Sequence, residues 1–174
     1  MTILWNGPAA SPLARRVHHR EGRPQVSTPF RLLLPTQFYT AMLAQAQAEL
    51  PNECCGLLAG RLDPAAGVGR VEKRYPLVNL VASPVEFLSE PVSMFAAVKD
   101  MRRLGLDVLA VYHSHPTAAP VPSRKDHERN YSPEVVNLII SLQGKAPVVR
   151  GWWLTADDSR EAAWGVVEEA PPLQ

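Results

Sequence analysis

The sequence predicts a single α/β domain. Its 174 residues suit one domain and leave little room for a second. Two stretches with apolar residues at helical spacing sit between short runs that are apolar on every side, as strands covered on both faces are. That alternation of helix and buried strand is the α/β pattern. Two cysteines and five histidines exclude a disulfide-stapled scaffold and any cysteine-based zinc finger.

Residues 30–34 form a short apolar run that predicts the first strand, and Thr36 is a suitable N-cap for a helix after it. Phe38, Met42, Leu43, Ala46 and Leu50 then recur at helical spacing until Pro51 stops the helix. Residues 54–60, Cys-Cys-Gly-Leu-Leu-Ala-Gly, suit a buried strand. Asp63, Pro64, Gly67 and Gly69 make residues 61–69 a turn. Residues 70–81 read as a longer strand and 85–89 as a short one. Glu90 and Pro91 open a second helix, with proline where its missing N–H costs nothing. Met94, Phe95, Val98, Met101 and Leu104 are its apolar face, and Gly105 its stop. Residues 106–112 are a second strongly buried strand. A polar, proline-rich loop and a short helical turn lead to strands at 135–142, 148–155 and 162–167.

Charge divides the chain unevenly. The whole carries +1, but Arg15, Arg16, Arg20 and Arg23 stand against Glu21 alone in the first thirty residues, leaving a body of −2. That body has no field to draw nucleic acid, and four arginines without aromatic platforms make a poor footprint for it. No stretch approaches the ~20 apolar residues that span a membrane. The start lacks the apolar core of a secretory signal, and Gly7, Pro8 and Pro12 interrupt a transit-type helix. Residues 1–29 are therefore expected to be a basic, disordered arm, with the folded domain over residues 30–170. Cys54 and Cys55 are adjacent, too close for an ordinary disulfide. They read as buried, reduced thiols, which fits a cytoplasmic location.

His113 and His115 occur as His-Ser-His at the exit of the second buried strand. In an extended chain residues two apart share a face, so both imidazoles can reach one ion. Asp126 comes after a loop long enough to fold back. Two neutral nitrogens and a carboxylate leave a fourth tetrahedral position open, the pattern of a catalytic zinc site. The same residues admit plainer readings: a solvated histidine pair, an Asp126 that only completes a capping box with Ser123, and a Glu53 exposed just past Pro51.

Taken together, the residues resemble a known family. Glu53 precedes the 54–60 strand, and His113-Ser114-His115 is followed by seven residues, Ser123, two residues and Asp126. This ordered pattern resembles the JAMM metalloproteases, also called JAB or MPN-plus, over nearly all of the expected domain. The resemblance implies a mixed β-sheet flanked by helices, in a JAB/MPN-like and cytidine-deaminase-like architecture. It implies one Zn2+ held by His113, His115 and Asp126, with Glu53 as general base and Ser123 stabilising the oxyanion. His127, about 100° around the helical turn from Asp126, reads as surface, as do His18 and His19 in the arm.

The brevity of the chain and its Pro-Asn-Glu-Cys-Cys-Gly opening are similar to the compact prokaryotic members. This implies cleavage after the tail of a small ubiquitin-fold sulfur carrier ending in Gly-Gly, bound extended along a strand edge. Two other expectations stand beside it. A non-catalytic scaffold of the same fold would lack the ligands that are present here. A RadC-like protein linked to DNA repair shares a similar histidine and serine run, but neither the 54–60 strand nor the acidic body favours it.

Overall fold

The computed structural model describes residues 29–168. The expected basic arm, except its last residue, and His18 and His19 lie outside them. The chain begins with β1 (Arg31–Pro35) and α1 (Thr36–Ala48). The hairpin of β2 (Cys55–Asp63) and β3 (Val68–Leu77) comes next, then α2 (Pro91–Leu104). After β4 (Asp107–His115) come the single-turn α3 (Arg124–Glu128) and β5 (Val136–Ser141). The chain then makes β6 (Val148–Leu154), β7 (Ser159–Glu161) and β8 (Trp164–Val167).

The eight strands form one mixed sheet in the order β7-β6-β5-β4-β2-β3-β1-β8. β1 runs parallel to both β3 and β8, and β4 parallel to β5; the other pairings are antiparallel. The two ends of this order are neighbours in sequence, because only Ala162 and Ala163 separate β7 from β8. The sheet must therefore curl until its edges meet. Ala162 N–H donates to Gly151 O at 2.8 Å and Leu32 N–H to Ala163 O at 3.0 Å, bridging the seam.

Strand alternation splits the core in two. Leu32, Leu34, Leu58, Tyr112 and Leu138 pack with Met42 and Ala46 of α1. Cys55, Leu57, Ala59 and Leu77 pack with Ala97 and Met101 of α2 on the opposite face. Gly56 leaves the room that the Tyr112 ring fills, since a Cβ there would overlap it. Both cysteines are free and buried, and burial pushes the thiols up to about 11 for Cys54 and about 12 for Cys55. They stay protonated at neutral pH, as core side chains.

Several expectations shift in detail. The predicted turn at 61–69 is mostly strand, because Arg61 and Leu62 pair with Arg70 and Gly69 across the hairpin; Arg61 also forms an ion pair with Glu72. β3 stops at Leu77 rather than residue 81. The short strand expected at 85–89 is absent: that segment makes one isolated bridge, Asn79 to Ser89. Val85 and Leu88 face outward, 64% and 50% exposed, while Phe87 packs inward against the α2 side of the core. Thr36 is not the N-cap of α1. Pro35 occupies that place without a side-chain cap, and the Thr36 hydroxyl donates to Val167 O instead. α2 begins as expected, with Glu90 accepting from Ser93 N–H, and ends at Gly105 in the left-handed region that glycine tolerates. The region at 162–167 yields β8 from Trp164 onward, and β7 is an additional strand.

Candidate metal centre

The histidine pair belongs to β4 itself rather than to the loop after it. Val111 packs on the α2 face of the sheet and Tyr112 on the α1 face. His113 and His115 continue the face of Val111. They stand beside Ile139 and Ser141 of β5 and, for His113, Cys55 of β2. Placed mid-sheet, they are 1% and 6% exposed, which excludes a solvated pair.

Asp126 reaches them from α3. Ser123 caps that helix through a reciprocal capping box: its N–H donates to Asp126 Oδ2 at 2.7 Å, and its hydroxyl oxygen accepts from Asp126 N–H at 3.3 Å. The expected cap and the expected metal ligand are thus one arrangement. The box aims the carboxylate inward, where Oδ1 lies 3.2 Å from His113 Nε2 and Oδ2 3.7 Å from His115 Nε2. The two Nε2 atoms are 3.1 Å apart. Burial would raise the Asp126 carboxyl, but the two imidazoles beside it hold it far below the usual carboxylate range.

This donor set fits a small tetrahedral cation. Ligand atoms about 2.1 Å from such an ion lie about 3.4 Å from one another, close to the spacings observed. The His115 tautomer fits as well. His115 Nδ1 donates to Ala119 O at 2.8 Å, turning the Nε2 lone pair into the cluster. His113 is held differently: its ring stacks on Phe87 at 4.9 Å between centroids, and its buried Nδ1 has no hydrogen-bond partner among the described residues. These three are also the one group of His, Cys, Asp and Glu side chains among the described residues that converges closely enough for an ion.

Glu53 is not exposed, contrary to what its place after Pro51 predicts; it is 5% exposed. Its backbone is fixed from two sides. Glu53 N–H donates to Ser83 O at 2.8 Å, and Asn79 Nδ2 donates to Glu53 O at 3.0 Å. The next residue, Cys54, gives its N–H to the Ser114 hydroxyl at 2.8 Å, while Ser114 N–H donates to Cys54 O at 3.1 Å. Ser114, the middle residue of His-Ser-His, therefore locks the Glu53 segment against the histidine strand. Burial pushes the Glu53 carboxyl up to about 7, although the nearby His115 works in the opposite direction. A carboxyl near 7 takes and returns a proton readily at neutral pH.

Sequence reasoning missed the segment between β3 and α2, which carries Asn79, Ser83 and Phe87. Glu86 ties this segment to α3 through Lys125 at 3.0 Å and Arg129 at 3.4 Å. The only signal for it in the sequence was an apolar run without partners. His127 stays out of the cluster as expected, pairing Nδ1 with Thr155 O at 2.8 Å. Among the described residues no helix is long and apolar enough to cross a membrane.

Residues 35–155 match the family described as prokaryotic homologs of the JAB domain. The desampylase of Haloferax volcanii is 33% identical over 144 residues, covering 80% of this chain and 99% of that protein. The CysO-cysteine peptidase of Mycobacterium tuberculosis is 28% identical over 119 residues, covering 67% of this chain and 77% of its own. A Desulfitobacterium hafniense protein determined in solution has a TM-score of 0.71 and 39% identity, covering 79% of this chain and 94% of that one.

Proposed function

The chain belongs to the family of prokaryotic JAB-domain proteins, and from that premise we propose that it is a zinc peptidase acting on ubiquitin-like or sulfur-carrier proteins. It hydrolyses the amide bond that follows the carrier's C-terminal Gly-Gly tail. The observation that carries this reading is the convergence of the donors His113, His115 and Asp126, with the buried carboxyl of Glu53 on a segment locked to the histidine strand.

His113, His115 and Asp126 hold the ion, and zinc when bound supplies a Lewis acid beside the scissile carbonyl. Glu53 takes a proton from the attacking water and passes it to the departing amine nitrogen, so the carboxylate ends as it began. Ser123 is an exposed residue three positions before Asp126. Its hydroxyl oxygen accepts from Asp126 N–H, which leaves its own proton to donate to the negative oxygen of the tetrahedral intermediate. An intact donor set with a buried base favours the enzyme over a scaffold of the same fold.

The apolar surface beside the site suits a protein partner. Val78, Leu80, Val85 and Leu88, along the segment that also supplies Phe87, and Val92 in the first turn of α2 are each at least half exposed. Such a surface marks a place where another protein docks. Here it takes the body of the carrier while the tail enters the site.

The test is incubation with a panel of small ubiquitin-fold proteins bearing peptide or amino-acid extensions after Gly-Gly, read by mass spectrometry with and without zinc. Zinc-dependent loss of the extension is expected. No loss across the panel, in protein that holds one equivalent of zinc, would overturn the substrate class and leave the metal site standing.

A further inference from the structure

The loop between His115 and Ser123 joins the two halves of the proposed ligand set, yet it buries little of itself. Residues 117–119, 121 and 123 are exposed. Apolar packing is therefore a weak constraint on where Asp126 sits. What fixes the loop is a run of three consecutive carbonyls, each taken by a different strand. Ser141 of β5 donates its hydroxyl to Ala118 O at 2.6 Å. His115 of β4 donates Nδ1–H to Ala119 O at 2.8 Å. Trp152 of β6 donates its indole N–H to Pro120 O at 2.9 Å.

β6 has further holds on the same unit. Asn130, just past α3, donates Nδ2–H to Leu154 O at 2.7 Å, and His127 reaches Thr155 O at 2.8 Å. The Trp152 indole is itself fixed. It is 9% exposed, packs with Ile139 and Leu154, and carries the Arg150 guanidinium 4.4 Å over its ring. Arg150 is held in turn by a two-pronged pair with Glu161 at 3.0 Å.

From this geometry we infer that Trp152 is a positioning residue for the metal centre. Through Pro120 O it sets the loop that presents Ser123 and Asp126, with His127 of α3 as a second tether, to Thr155 just past the same strand. A strand that contributes no ligand thereby determines how well the third ligand is preorganised. The inference rests on the proposed zinc site, and its test separates the two. Zinc affinity of the full chain is measured by chelator competition for the wild type, Trp152→Phe and His127→Ala. Thermal unfolding and zinc-saturated kcat and KM are recorded alongside.

Trp152→Phe keeps an aromatic ring but removes the N–H donor together with part of the indole's buried bulk, and the thermal unfolding record reads that packing loss separately. It is expected to weaken zinc binding about tenfold, the lower end for loss of a supporting hydrogen bond. At saturating zinc kcat should fall with KM little changed. His127→Ala should lower affinity in the same direction by a smaller factor. A merely structural role would move the melting temperature and leave zinc affinity, measured well below it, untouched. Wild-type affinity in a folded Trp152→Phe protein overturns the inference. Should Trp152→Phe fail to fold, His127→Ala decides, and unchanged affinity there overturns it. A wild type that takes up no zinc overturns the reading of the metal centre itself.

Discussion

Glu53 owes its proposed role to burial more than to any neighbour, and burial has a cost that can be measured. Its carboxyl sits near 7 in the folded, metal-free protein against about 4.3 in an unfolded chain. The folded state therefore binds the extra proton between those values. Stability contributed by this group is complete below the unfolded value and is lost as pH rises through about 7. Glu53→Gln should then stabilise metal-free protein above pH 7 by on the order of 1–2 kcal/mol, after allowing for solvent at the cleft. The gain should vanish near pH 4; chemical denaturation at the two pH values checks it. The same variant should retain zinc and lose roughly 100- to 10,000-fold in kcat. Metal binding itself should weaken in acid. His115 is drawn above its ordinary value, since Asp126 and the Ala119 carbonyl outweigh burial, and it must shed its proton to bind an ion. Zinc titrations of chelator-treated protein should therefore give lower affinity at pH 6 than at pH 8.

At the scale of elements, the capping box on α3 does two jobs that substitution can separate. Ser123→Ala removes the cap, costing about 1 kcal/mol in thermal stability, and removes the hydroxyl donor, costing about 100-fold in kcat. Ser123→Asn keeps a capping side chain and should restore the stability but not the rate. The hairpin offers a second test. A Cβ at Gly60 would run into the backbone carbonyl of Arg70 on β3, so Gly60→Ala should destabilise by about 1–3 kcal/mol in urea unfolding. Much of this was legible in the chain, since the helix stop at Gly105 and the buried runs at 54–60 and 106–112 mark their elements through local chemistry, although α1 ends at Ala48, before Leu50 and Pro51. The spacing of His113, His115, Ser123 and Asp126 likewise survives folding, because strand alternation and the capping box are both short-range. What escaped was set by distant partners. The 61–69 stretch carries turn residues, yet cross-strand pairing with β3 extends the hairpin through most of it. The exposed look of Glu53 is reversed by Ser83 and Asn79, about thirty residues away, and the tethers from β6 to the 116–122 loop leave no local pattern at all.

At the scale of the whole molecule, the curled sheet devotes its interior to stability and leaves recognition to one side. Its α1 face is filled by apolar side chains and by the polar set of Gln45, Arg74 and Tyr112, whose groups satisfy one another at 2.6–2.8 Å. The opposite face carries the cluster of His113, His115 and Asp126, and the β3–α2 segment lies against it with Phe87 on His113 and Glu86 on α3. Val85 of this segment and Val92 in the first turn of α2 contribute nothing visible to the core, being 64% and 72% exposed. Selection acting only on folding would favour polar residues at such positions. Val85→Asp and Val92→Asp should therefore leave the melting temperature and zinc content within error of the wild type. If the carrier body docks here, each should raise KM for a Gly-Gly-tailed carrier conjugate about tenfold, a loss of about 1.4 kcal/mol in binding. Turnover of a short peptide amide carrying only the Gly-Gly tail should not change, because that substrate never reaches the apolar surface. Equal loss on both substrates would place the two valines in support of the site rather than in docking, and no loss on either would move the carrier body elsewhere on the molecule.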